Sequence, residues 1–352
     1  MSINQPSVFA GSNSFRQFSK FLSGNSFSQL FILVDENTLQ HCYPLVKGTL
    51  PQHVVIQIKS GEKNKTLKTC EQVWKKLTEY NADRNALLIN LGGGVIGDLG
   101  GFAAGCYKRG IKFINLPTSL LAMIDASVGA KTGVDFNGFK NQIGLFNDPQ
   151  AVFIHTGFLE TLPHAELRSG FAEVIKHYLI ADKKSFRSLT GKSDVLHSVD
   201  WNALVKKNVA IKSRIVLADK YETGDRKALN FGHTVGHAIE SYFLAKKKPV
   251  LHGEAVAVGI ICESLISELS GKLSRTEYLQ ILRVMGAVFP DLPTLEKKAI
   301  PAVLKLMKQD KKNTLGKINF TLLQGIGNFS INNFVEEDMI IHSLEYYSEI
   351  AS

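Results

Sequence analysis

The sequence predicts an α/β protein in two parts. An N-terminal domain over residues 1–155 rests on a mostly parallel sheet, and a mainly α-helical domain follows over residues 156–352. Two observations predict this. The first half alternates short apolar strands with helical stretches, a pattern that favours parallel strands joined by crossover helices. The second half has no proline from Ala165 to Lys248, and its apolar residues recur at helical spacing.

The expected strands are Phe31–Val34, Val54–Ile58, Ala86–Leu91, Phe113–Leu116 and Ala151–Ile154. Each is rich in Ile, Val, Leu or Phe and ends at a turn or polar cluster. Leu67–Tyr80 and Ser119–Ser127 read as helices between them. Beyond residue 156, Pro163 suits a helix start. Leu167, Phe171, Val174, Ile175 and Tyr178 then mark one helical face. A late strand pair is expected near Ile318–Gln324 and Phe329–Ile331.

Composition narrows the function. At 352 residues, two cores are more natural than one. The longest apolar run, Ala255–Cys262, falls well short of a membrane span. The N-terminus has no basic segment leading into an apolar one, so no signal peptide is expected. Cys42, Cys70, Cys106 and Cys262 are scattered and form no CxxC, which suits reduced thiols in the cytoplasm. The net charge of +9 comes from dispersed lysines without interleaved aromatics. A small anionic ligand is therefore favoured over nucleic acid.

The strongest local signal is the turn after Ala86–Leu91. Six of the ten residues from Gly92 to Gly101 are glycine, and Gly92, Gly94 and Gly97 satisfy GxGxxG. Glycine lets backbone N–H groups approach a ligand, and the following helix aims its N-terminus at that ligand. A pyrophosphate suits both features, so the domain reads as Rossmann-like. The turn follows the third predicted strand rather than the first, and no ribose-binding acid stands about 20 residues later. Asp35, ending the first predicted strand, is the acid that would suit. Gly61-Glu62-x-x-Lys65 is a second candidate loop.

The second signal lies in the helical domain. His233 and His237 are four apart and share a helix face. Glu173 and Lys176 occupy another predicted helix, and His252 is followed by Gly253-Glu254. A His/His/carboxylate set suits a catalytic zinc or similar ion. Spacing leaves open whether His237 is a ligand or a group beside the metal. Arg109, Lys131, Lys140-Asn141, Lys212, Arg226 and Lys311-Lys312 are cations that would suit phosphate and carboxylate.

Six blocks together resemble 3-dehydroquinate synthase. They are residues 92–101, Pro117–Gly129, Lys131–Gly133, Ser169–His177, Leu229–Glu240 and Leu251–Ala257. The resemblance runs in the family's order from about Asp35 to Lys312. The resemblance implies conversion of 3-deoxy-D-arabino-heptulosonate 7-phosphate to 3-dehydroquinate and phosphate, within the shikimate pathway. It implies NAD, which is used and regenerated within a turnover, and zinc, with cobalt as an alternative.

By the same resemblance, Glu173, His233 and His252 are the metal ligands, and His237 stands near the substrate instead. Asp125 and Lys176 would hold substrate hydroxyls. Lys131, Asn141 and Lys311 or Lys312 would surround the phosphate, with Arg109 arriving from the other subunit of a homodimer. Lys212 and Arg226, beside Asn230, would clamp the carboxylate. Asp35, Glu62, Lys65, Gly93, Gly94, Val95, Asp98, Thr118, Ser119, Lys140, Thr161 and Leu162 would contact the cofactor. Ala130 and Phe139 depart from the family's glycines. The competing readings are a cyclitol-forming cousin, a metal-dependent alcohol dehydrogenase such as glycerol dehydrogenase, and a binding protein without catalysis.

Overall fold

The structure, a computed structural model, describes residues 6–137, 139–191, 195–196, 199–309 and 318–351. Two compact units emerge. One comprises Met1–Leu167 with Asp200–Ser213, and the other Arg168–Val199 with Arg214–Ser352. The expected single cut at residue 156 differs from this division. The helices His164–Ala181 and Trp201–Ala218 each run through a division point. A helical repeat carries no mark of where along its length the packing partner changes.

The first unit holds a six-stranded sheet made of β1 (Ser7–Ala10), β2 (Leu30–Asp35), β3 (Val54–Ile58), β4 (Leu87–Gly92), β5 (Lys112–Pro117) and β8 (Ala151–Ile154). The order is β1-β8-β5-β4-β2-β3, with every paired strand parallel. All five predicted strands are present within a residue or so of their expected ends. The strand β1 has no counterpart in the sequence reading, because four residues at a sheet edge carry too short a pattern. The glycine turn therefore follows the fourth strand in the chain, not the third.

One face of this sheet supplies Phe31, Leu33, Ile56 and Ile58 to a core shared with the helices Leu67–Glu79 and Gly94–Cys106. The first helix is amphipathic, burying Cys70, Val73 and Leu77, and Thr66 caps it. The second is short of side chains, so side chains of neighbouring segments come close to its backbone. A Cβ on Gly101 would strike Thr132 at 2.5 Å, and one on Gly105 would strike Asn147 at 2.7 Å. Thr132 lies on a hairpin of β6 (Lys131–Phe136) and β7 (Phe139–Phe146), and Asn147 directly follows it. This hairpin was not predicted. The expected helix Ser119–Ser127 is instead dominated by a π-helical turn at Ala122–Ala126.

The second unit is mainly helical. His252–Leu269 runs through its centre, and from Ala255 to Ser267 every residue is buried. The helix His233–Ala245 packs against it through glycine: Cβ atoms on Gly236 and Gly259 would meet backbone of the other helix. The expected late strand pair is the antiparallel hairpin β9 (Asn319–Leu323) and β10 (Phe329–Phe334). Among the described residues no helix is long and apolar enough to cross a membrane.

Ala130, preceding β6, adopts φ +62° and is buried. A left-handed conformation costs an L-residue about 1–2 kcal/mol that glycine avoids. Glycine's added freedom when unfolded returns part of that. Ala130→Gly is expected to stabilise the protein by about 0.5–1 kcal/mol, seen as a rise in thermal midpoint. A fall would show that contacts of the Ala130 methyl outweigh its strain.

Candidate active site

In the first unit, the sheet order sets the geometry. From β2 the chain moves outward to β3, then returns to β4 on the other side of β2. The connections leaving β2 and β4 diverge, which opens a crevice at the carboxyl ends of those strands. Leu33 pairs with Asn90, so Asp35 ends β2 beside Gly92 at the end of β4. The acid that seemed misplaced in sequence is thus next to the glycine turn in space. Asp35 also caps the helix Glu36–His41, with Thr38 N–H donating to its Oδ1 at 2.8 Å.

The glycines divide by position. A Cβ on Gly97 would meet nothing within 4 Å, and one on Gly94 would meet only Ala126 at 3.6 Å. Gly93 is the N-cap of its helix and supplies no side-chain cap. The protein leaves the N-terminal glycines open where a pyrophosphate would lie. Gly100, Gly101 and Gly105 instead admit neighbouring protein atoms. Only part of the glycine density therefore belongs to a ligand. Val95 is half-buried on the same turn. Thr118, buried after β5, donates its N–H to the Gly92 carbonyl at 3.0 Å. Ser119 follows, and its Oγ accepts from Ala122 N–H at 3.3 Å.

Lys65 is the electrostatic centre of this unit. It is buried, yet its Nζ donates to Asp98 Oδ2 at 2.6 Å and to Asn141 Oδ1 at 2.5 Å. Burial pulls the ammonium pKa down, but Asp98 and Glu62 outweigh burial and raise it. Lys65 therefore stays charged. Glu62 lies 3.9 Å from Lys65 and 3.5 Å from Lys140. Asp135 accepts from Asn141 N–H at 2.8 Å, and Asp135 N–H donates to the Lys65 carbonyl at 2.9 Å. The hairpin is thereby tied to the Lys65 loop, and Asp135 is a participant that sequence reading missed.

Asp125, in the π-helical turn, accepts from Lys212 Nζ at 2.7 Å, and its backbone carbonyl accepts from the same group at 2.6 Å. Lys131 is exposed at the start of β6, and Arg109 is exposed in a turn with φ +65°. Thr161 and Leu162 lie past β8, which β5 separates from β4.

In the second unit, Glu173, His233 and His252 converge. One ligand atom from each lies within 4.8 Å of the others. Glu173 is fully buried and ion-paired with Lys176, yet neither carboxylate oxygen has an aligned hydrogen bond. The imidazole Nε2 atoms of His233 and His252 stand 3.3 and 3.6 Å from Glu173 Oε1. The outer ring nitrogens are held from behind. His233 Nδ1 is 3.0 Å from the Phe231 carbonyl, and His252 Nδ1 is 3.4 Å from Glu240 Oε2. This presents both Nε2 atoms toward the carboxylate, the arrangement a metal-ligating histidine needs. A buried anion without aligned donors, facing two imidazole nitrogens, fits a divalent cation.

Burial pushes the Glu173 pKa up, but Lys176 and His233 prevail and hold it well below the usual range. Burial lowers that of His233, with Lys176 assisting. For His252 burial also lowers the pKa, but Glu173 and Glu240 overcome it and raise it to about 9. His237 stands beside the set, its ring centroid 5.2 Å from that of His233, and it is not one of the converging ligands. Glu240 lies three residues beyond His237, so helical spacing could have flagged it.

Arg226 is buried and donates from Nη1 to the Lys220 carbonyl at 2.5 Å, while Asn230 donates to Glu222 at 2.5 Å. Glu222 had no sequence signal. Lys311 and Lys312 lie outside the described residues.

Known proteins align with both units. The model of the 3-dehydroquinate synthase N-terminal domain matches residues 55–169, and that of the C-terminal domain matches residues 170–313. The 3-dehydroquinate synthase of Parabacteroides distasonis is 45% identical over 301 residues, 84% of each chain. Among solved structures, the 2-epi-5-epi-valiolone synthase of Streptomyces hygroscopicus subsp. jinggangensis, with NAD⁺ and Zn²⁺ bound, superposes with TM-score 0.87 at 26% identity. The match covers 99% of this chain and 98% of that one. A 2-deoxy-scyllo-inosose synthase complexed with carbaglucose-6-phosphate, NAD⁺ and Co²⁺ shares the fold, with TM-score 0.84 at 24% identity over 96% of each chain. With its two domain models matched in order and a curated relative this similar along most of its length, the chain belongs to the 3-dehydroquinate synthase family.

Proposed function

We propose that this chain converts 3-deoxy-D-arabino-heptulosonate 7-phosphate to 3-dehydroquinate and phosphate, as a phosphate-eliminating carbon–oxygen lyase. The observation that carries the reading is the buried Glu173 carboxylate facing two imidazole nitrogens, in a chain of this family. Glu173, His233 and His252 would hold zinc or cobalt, and Asp35, Gly93 and Gly94 would take part in holding NAD. When bound, these groups supply Lewis acidity toward a substrate oxygen and a reversible hydride acceptor.

The remaining work falls to side chains. The C5 hydride would pass to bound NAD and return after phosphate has left, and ring opening with an aldol closure would complete the carbocycle. Lys176, ion-paired with Glu173, is assigned to a substrate oxygen where negative charge would develop. Lys212 fixes the Asp125 carboxylate, which is assigned to a substrate hydroxyl. Lys212, Arg226 and Asn230 are assigned to the substrate carboxylate, and Lys131, Asn141 and Arg109 to its phosphate. Glu62, Lys65, Asp98, Thr118, Ser119 and Lys140 are assigned to the cofactor. A cytoplasmic setting accords with four free cysteines.

With NAD⁺, zinc and this substrate, phosphate and 3-dehydroquinate should appear in equal amounts with no lasting NADH absorbance. Accumulating NADH would indicate a dehydrogenase. Phosphate release only from a hexose or other heptose phosphate would indicate a cyclitol-forming enzyme.

A homodimer sharing Arg109 is part of the proposal, supported by that residue's exposure. Mixing Arg109→Ala and His252→Ala subunits, each inactive alone, should restore roughly a quarter of wild-type activity through mixed dimers. No recovery after verified subunit exchange would remove Arg109 from the shared role.

Metal binding should depend on pH. The raised His252 pKa means that the metal-free protein carries a proton the metal must displace. Zinc affinity should increase with pH up to about 9, with proton release in calorimetry. In the metal-free protein the same group stabilises the fold below its unfolded pKa of about 6.5, and this is lost as pH rises through about 9. A flat affinity between pH 6 and 9 would contradict this.

A further inference from the structure

Glu263 belongs to no part of the assigned chemistry. It lies on the helix His252–Leu269, about three turns beyond His252, and its side chain has no solvent exposure. Burying a carboxylate is costly unless hydrogen bonds compensate it. Here Oε2 accepts from Gly232 N–H at 2.7 Å and Oε1 accepts from Val235 N–H at 3.0 Å.

Those two amides flank His233. Gly232 is the N-cap of the helix His233–Ala245, and Val235 is its third residue. In a capping box, the N-cap side chain would serve the third amide, and the third side chain would serve the N-cap amide. Glycine and valine can do neither, and this helix has no side-chain cap of its own. One carboxylate from another helix satisfies both amides. It also places negative charge at the positive end of the helix dipole. The close approach has its own requirements: Gly232 has φ +79°, and a Cβ there would strike Ile260 at 2.8 Å.

We infer that Glu263 is a positioning residue for the metal site. It locks the backbone on both sides of His233 to the helix that begins with His252. The Phe231 carbonyl sets the His233 ring, and Glu263 sets the chain that carries it. The inference rests on the metal reading of Glu173, His233 and His252.

Glu263→Gln is the direct test. The amide offers one acceptor and one donor, so one of the two N–H groups faces another N–H. Loss of a group supporting a metal ligand typically weakens affinity about 10–100-fold. Zinc affinity would be measured by chelator competition on the folded protein, well below its thermal midpoint. The visible spectrum of the cobalt-loaded protein would report ligand geometry. Ser267→Ala serves as control, because Ser267 accepts from Leu323 N–H and donates to the Glu263 backbone carbonyl without touching the cap. The expected result is at least a tenfold loss of zinc affinity and an altered cobalt spectrum in Glu263→Gln. Ser267→Ala should lose stability and keep both properties.

If Glu263→Gln does not fold, Glu263→Asp, which keeps the charge but shortens the reach, should also weaken zinc binding. Wild-type affinity and spectrum in a folded Glu263 variant would overturn the positioning role while leaving the metal site standing. A wild-type protein that binds neither zinc nor cobalt would overturn the metal reading and this inference with it.

Discussion

The second unit is organised around the burial of one negative charge. Glu173 is removed from water, and its oxygens lack aligned donors. Such a group survives only where positive charge faces it, and Lys176 and His252 supply that charge while the His233 Nε2 stands beside it. Three helices must therefore meet at one point. Small residues make this possible: Gly236 and Gly259 let backbone approach backbone, and a Cβ on Gly253 would run into Ser169 on the helix carrying Glu173. The glycines beside the histidines in sequence are the means by which the ligands converge.

In the first unit the corresponding constraint is strand order. Placing β4 beside β2 rather than beside β3 opens the sheet where Asp35 and the glycine turn emerge together. The Lys65 ammonium then draws the glycine helix and the β6–β7 hairpin to one point through Asp98 and Asn141. Low dielectric strengthens these contacts, and their full pairing offsets the cost of burying the ammonium.

Much of this was legible from sequence, for identifiable reasons. The buried parallel strands are continuous apolar runs, so five of six were found. Glu173, His233 and His252 stand in long motif blocks, so they are assigned together as the candidate metal set. What escaped detection has weak local pattern. The strand β1 is four residues at an edge, and the β6–β7 hairpin lies in a glycine-marked segment without clear alternation. Asp135 and Glu263 act through backbone groups, and Glu222 through Asn230 across a loop, contacts that leave no periodic residue signature. Asp35 was identified as a suitable acid, but its place beside Gly92 needed the sheet order.

By itself, the sequence determined the five longer parallel strands, the helical character of the second half, the family and the residues proposed to hold a metal, because these reside in local periodicity and in contiguous motifs. The tertiary structure decided which glycines face open space and which admit neighbouring protein. It also decided that His237 stands beside the convergence of Glu173, His233 and His252 rather than within it, and that Asp35 meets the glycine turn. These are outcomes of strand order and interhelical packing, which depend on contacts between residues distant in the chain and so are not encoded at any one position.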